Sequence, residues 1–202
     1  MAIFVDDQPK DLVGDSLGEV LAAASRALAE EGRVVVEVML GDKVLRGDEL
    51  GDHQNATITD TDVRLTSADP KALAINTLQQ VREHLPNATA LHEQAAECLQ
   101  ADNPAEALKH IAAAIEVWMQ TQEAVLGSAR VVGLGLDEVT VEGEPMTAFT
   151  DELIRQLHDL KDLIGAQDTV ALADALAYEW PAVVHRWDKL IQHLIETIEK
   201  TS

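Results

Sequence analysis

The apolar pattern of this chain changes period at Asp69-Pro70, and one layer of secondary structure cannot serve both sides of that change. Before it, short β-branched runs surround a single helical stretch. After it, apolar residues recur every three or four positions almost to the end. A strand buries alternate residues and a helix buries one stripe, so the two segments need separate cores. The expected class is therefore α+β, with one domain over residues 1–68 and a helical bundle over residues 69–202.

In the first segment, residues 2–5 read as a strand, Asp6-Asp7-Gln8-Pro9 as a turn and residues 10–13 as the returning strand. Ser16-Leu17-Gly18-Glu19 has the spacing of a capping box, in which the serine accepts from the helix N-terminus and the glutamate reaches back. Leu17, Val20, Leu21, Ala24 and Leu28 follow at helical spacing, and Gly32 is the stop. Residues 33–40 form a β-rich run, Gly41-Asp42 fits a two-residue turn into residues 43–45, and residues 63–66 supply a last strand after a polar stretch.

Strand, strand, helix, strand, strand, excursion and strand is the order of a β-grasp fold. The segments IFVDDQPKDLV, SLGEVLAAASRAL, RVVVEVMLGDKVL and DVRLTSA resemble ubiquitin-like domains, in particular the small sulfur carriers of thiamine and molybdopterin biosynthesis. The resemblance covers the first third of the chain and implies a compact β-grasp-like domain. Sulfur carriers act through a flexible C-terminal Gly-Gly whose carboxylate is adenylated and then thiolated. Here Ser67-Ala68-Asp69-Pro70 stands at that point and runs on into a helix, so the resemblance implies a binding domain without carrier chemistry.

Asp69 and Pro70 suit the cap and first position of a helix whose apolar face is Ala74, Leu78, Val81 and Leu85. Leu85-Pro86-Asn87 is expected to end it and open a second, marked by Leu91, Ala95, Cys98 and Leu99. Asn103-Pro104-Ala105-Glu106 starts a long amphipathic helix through Leu108, Ile111, Ile115, Trp118 and Val125, ending at Gly127. An irregular connection over 128–144 includes a possible short strand at 139–141. Leu153, Leu157, Leu160 and Ile164 mark a fourth helix stopped by Gly165, and Asp168 opens the last one. Its stripe runs from Leu172 to Ile198 and is interrupted by Pro181, which lacks an amide donor and crowds the preceding turn. About five helices are expected. GLGLDEVTVEGEP and DTVALADALAYEW resemble uncharacterised helical families of bacteria, which implies no activity.

Thirty-six acidic against 15 basic side chains give a net charge of −21. Six basic and 14 acidic residues fall within 1–68, leaving 9 and 22 beyond, so both segments are acidic. Such a surface disfavours nucleic acid, whose phosphates need cations, and anionic membranes for the same reason. With no apolar run approaching the ~20 residues of a membrane span, and Asp6-Asp7 close behind Met1, the expectation is a cytoplasmic protein. Cys98 is the single cysteine, so no internal disulfide forms.

Candidate chemistry is sparse. The seven histidines include no Glu-x-x-His pair, and the nearest approach to a metal site is Glu106 with His110, one helical turn apart beside Lys109. That pair reads as an exposed surface contact. His185 and Asp188 sit beside Arg186 and Lys189 on a polar face. Cys98 lies on an apolar stripe near a helix C-terminus, the wrong end to stabilise a thiolate. Gly133-Leu134-Gly135 lacks the Lys-Ser/Thr sequel of a phosphate loop and reads as a turn. Asp60-Thr61-Asp62 lacks the glycine and terminal glutamate of a calcium loop, and Arg46-Gly47-Asp48 reads as an ordinary loop. Trp118, Trp180 and Trp187 belong by default to the core; with Tyr178, the latter two are the candidates for partner anchoring.

The function expected from these residues is a non-enzymatic interaction protein, an adaptor or chaperone-like binder of another protein of basic character, with no cofactor. Self-association through the last helix is a further expectation. The alternative is a metal- or small-ligand-binding bundle using Glu106 and His110. Adaptation to high salt would also account for the acidity.

Overall fold

The computed structural model describes residues 2–45, 48–55, 58 and 61–200. The chain is α+β, a five-stranded sheet followed by helices. Its contacts divide it into two compact units, Met1–Leu73 and Ala74–Ser202.

In the first unit the strands are β1 (Ile3–Val5), β2 (Gln8–Pro9), β3 (Val34–Leu40), β4 (Lys43–Leu45) and β5 (Val63–Ala68), in the order β2-β1-β5-β3-β4. β1 and β5 run parallel, and the other pairs are antiparallel. Helix α1 (Leu17–Glu30) contributes Leu17, Val20, Ala24 and Leu28 to a core shared with Ile3, Val5, Val38, Leu45, Val63 and Leu65. Ser16 caps it by accepting from the Glu19 amide, while the Glu19 carboxylate takes the Asp15 amide at 2.8 Å rather than that of Ser16. A mixed sheet in this order, followed by helices, is compatible with a β-grasp-like start.

Three details differ from the sequence expectation. The first turn is only Asp6-Asp7, both at positive φ (50° and 61°), so β2 begins at Gln8 and residues 10–13 form no strand. Aspartate tolerates the left-handed conformation that such a tight turn requires. A short helix, α2 (Asp48–His53), occupies part of the polar excursion. Finally, β5 continues through Ser67 and Ala68, which pair with Val35 and Val34. Arg46, Gly47 and Asp60 lie outside the described residues.

The second unit is built from long helices. Helix α3 (Pro70–Gln100) passes straight through Pro86, where the sequence predicts a break. A proline inside a helix costs about 3 kcal/mol. The stripe that spans it (Leu78, Leu85, Ala88, Ala95, Leu99) is buried throughout, and each buried leucine contributes about 1.5–3 kcal/mol. Packing therefore outweighs the proline, and five expected helices become four rods. Helix α4 (Pro104–Val131) starts at the predicted Asn103 cap but runs past Gly127, because Ser128 and Ala129 are still buried. It stops at Gly133, whose positive φ (72°) allows the chain to turn.

A small hairpin follows, β6 (Thr140–Val141) with β7 (Glu144–Pro145). Arg186 holds it by bonding Glu144 and Glu152 while lying 4.9 Å over the Phe149 ring, and Lys189 reaches Glu142 at 2.6 Å. Helix α5 (Met146–Ala166) runs through Gly165 and is closed by Gln167 in the left-handed region. Asp168 caps α6 (Thr169–Asp174), followed by a π-helical turn (Ala175–Glu179) and α7 (Trp180–Lys200). The irregularity expected at Pro181 thus takes the form of a widened turn just before it. No helix among the described residues is long and apolar enough to cross a membrane.

At the end of β5, the Asp6 carboxylate accepts the Ser67 amide at 2.7 Å and the Ser67 hydroxyl at 2.6 Å. Arg33 donates to the Ser67 hydroxyl at 2.7 Å, to the Ser67 carbonyl at 2.8 Å and to Asp6 at 3.3 Å. The Ser67 bonds, side-chain and backbone, together with the nearby Arg33, hold the Asp6 carboxyl below its usual value of 3.8. Asp6→Asn keeps a residue suited to positive φ and removes the charge, so it should lower stability by about 1 kcal/mol; more than a third of each charged side chain is exposed. Because the folded carboxyl titrates below the unfolded one, the stabilisation is complete above pH 3.8 and disappears as pH falls through the lower folded value. Denaturant unfolding of both proteins across that range measures the convergence.

Candidate functional site

The centre of the second unit is an aromatic cluster drawn from three helices. His92 of α3, Trp118 of α4, and Trp180 and Trp187 of α7 are all nearly inaccessible to solvent. Trp118 lies 5.6 Å from Trp180 and 5.8 Å edge-on from Trp187, and His92 lies 4.7 Å from Trp180. The Trp118 indole can only donate, so the His92 Nε2 at 3.4 Å accepts and the neutral ring carries its proton on Nδ1. That Nδ1 is buried without a hydrogen-bond partner among the described residues.

The π turn delivers Trp180 into this cluster. Leu172, Leu176 and Trp180 are all buried and succeed one another at +4 and +4. In a regular helix each such step advances the side chain by about 40° around the axis, a spread that one buried face accommodates, as Val20, Ala24 and Leu28 do in α1. The wider turn, closed by the Trp180 amide on the Ala175 carbonyl, takes up one extra residue between the two α-helical segments. It also makes room for Pro181, whose ring would crowd a tighter turn.

Beside the π turn lies an open groove of about 510 Å³. Leu160, Leu163, Ala171, Ala175 and an edge of Trp180 form its apolar floor, and Asp159, Asp162 and Glu179 stand around it. Asp159 pairs with Arg155 at 3.5 Å. Asp162 and Glu179 have no side-chain partner among the described residues. The Gln156 amide oxygen, also in the lining, is buried and unpaired. What the groove offers is carboxylate acceptors around apolar area.

The residues singled out from sequence are dispersed. Trp180 and Trp187 are 3% and 2% exposed, whereas Tyr178, within the π turn, is 77% exposed and is the one of the three whose ring faces solvent. Glu106 accepts from Lys109 at 2.7 Å, and the Lys109 bond and charge, with His110 contributing less, hold its carboxyl below the usual range. Among the described residues, no group of three His, Cys, Asp or Glu side chains could hold a metal ion. Asp188 is bound by Arg82 at 2.6 Å, and Cys98 is half-buried against the bundle core. The apolar stripe of α7, from Trp180 to Ile198, is buried within its own unit. Sequence reasoning missed the groove; Pro181 was the local signal of an irregular turn beside it.

Burial pushes the His92 pKa down from 6.5 to about 4. Between those values the unfolded chain binds a proton that the folded chain refuses, so stability declines as pH falls through that window, by about 3 kcal/mol in all. His92→Leu should abolish this segment of the pH dependence while leaving the Trp118 N–H unpaired, a cost of about 1–3 kcal/mol. Unfolding free energies of both proteins from neutral pH to pH 4 test it: parallel curves would contradict the assignment.

The comparison with curated proteins gave no match, and neither did that with solved structures. Residues 76–200, well over half the chain, match the model of a family described as Domain of unknown function (DUF8042), and the chain belongs to that family.

Proposed function

We propose that this chain is a non-enzymatic interaction protein, adaptor- or chaperone-like, that holds a basic amphipathic segment of another protein. The groove beside the π turn is the observation that carries this reading. Its floor takes an apolar side chain, and Asp162 and Glu179 have no side-chain partners of their own to displace among the described residues. Exposed Tyr178, carried on the same turn, adds an aromatic contact at low entropy cost. The net charge of −21 steers cationic partners toward the chain and speeds their encounter. Support from the first unit is of another kind. The β-grasp-like order suits a binding domain, and Ser67, where a sulfur carrier would have a flexible glycine, is tied to Asp6 and Arg33.

A fluorescent helical peptide of alternating lysine and leucine faces should bind saturably, and Asp162→Asn with Glu179→Gln should weaken it by about tenfold, the loss of one or two partly exposed charge contacts. Asp11→Asn with Glu30→Gln removes the same total charge from exposed positions in the first unit and should leave binding nearly unchanged. Equal effects of the two double variants would reduce the attraction to bulk charge and contradict the groove.

A further inference from the structure

Helix α4 carries a second apolar seam beside the one it buries. Leu108, Ala112, Ile115, Met119, Gln122 and Leu126 follow one another at 4-3-4-3-4, the spacing of a heptad. Leu108 is 45% and Met119 63% exposed, Ala112 is exposed, and the others are half-buried. A heptad seam on an open helix face specifies another helix, and the charges beside it specify which one.

We propose that this face pairs with the same face of a second copy of the chain, the two α4 helices running antiparallel. The register that sets Leu108 opposite Leu126 of the second copy also sets Ile115 opposite its Met119. In that register Lys109 comes beside Glu123 of the second copy, and Arg130 approaches the turn ahead of its α4 where Asp102 lies, each approach occurring twice by symmetry. Glu123, Arg130 and Asp102 have no side-chain partner within their own chain among the described residues. Lys109 holds Glu106 from an exposed position and can reach a second carboxylate. The Glu116 pair near the two-fold axis opposes the assembly, and the four attractive contacts outweigh it.

Shape supports the same face. A shallow groove of about 500 Å³ runs along α4 past Met119, Leu126 and Gly127. A β-carbon at Gly127 would meet nothing within 4 Å, so this face of α4 is open. The pairing is independent of the groove beside the π turn, so the two proposals fail separately.

Sedimentation equilibrium of the full chain should show a monomer–dimer equilibrium. Lys109→Glu or Glu123→Lys alone turns two attractive contacts into repulsive ones and should raise the dimer Kd about tenfold. The double swap should return it to within about threefold of the original. Met119→Lys, at an exposed position, should give a monomer with unchanged helical circular dichroism. A native chain that stays monomeric at the highest attainable concentration would overturn the proposal, and so would a double swap no tighter than the weaker single variant.

Discussion

The second unit depends on the seating of Trp180, which follows the buried Leu172 and Leu176 and stands directly before Pro181. The proline ring crowds a tight turn. One π turn makes room for it. It sends Trp180 into the cluster with His92, Trp118 and Trp187, and thereby fixes how α7 lies against α3 and α4. The same widening turns Glu179 and Tyr178 outward next to a groove. The widened turn and the candidate site thus meet at Ala175 and Glu179, which line the groove, in keeping with the recurrence of such turns at functional positions.

The polar accounting follows from that packing. A histidine among three indoles must remain neutral, and the low-dielectric surroundings enforce this at the expense of stability in acid. Outside the core, most cations of the bundle are already committed. Arg82 binds Asp188, and Arg186 and Lys189 hold the small hairpin. Acidic groups are in large excess, so those left without cations among the described residues, including Asp162 and Glu179, set the character of the surface. The first unit spends its charges differently. Asp6 and Arg33 lock the end of β5, where Ser67 and Ala68 pair with Val35 and Val34.

Local signals in the sequence were reliable where the chemistry was local. The caps at Ser16, Asn103 and Asp168 all form, the Gly41-Asp42 turn joins β3 to β4, and the change of period at Asp69-Pro70 marks the passage from sheet to helices. Misreadings arose where tertiary packing overrode a local rule. Pro86 looked like a helix end, yet apolar burial on both sides of it holds α3 together. Gly127 and Gly165 looked like stops, but the helices continue to Val131 and Ala166 because Ala129 is buried and Gln167 supplies the left-handed residue. The groove was invisible for a related reason. Asp159 and Asp162 on one helix and Glu179 on another are ordinary solvent-facing acids until packing sets them around common apolar ground.

Deleting Ala177 tests the need for the widened turn most directly. Removal of one residue closes the π turn into a regular α turn with little change of phase, because four α residues sweep about as far as five π residues, and it brings Pro181 against a tight preceding turn. The account predicts that Leu172 and Leu176 stay buried while the proline ring crowds that turn, so that denaturant unfolding shows a loss of about 3 kcal/mol. A deletion variant as stable as the native chain, or more stable, would mean that the turn is a dispensable irregularity and would contradict the account.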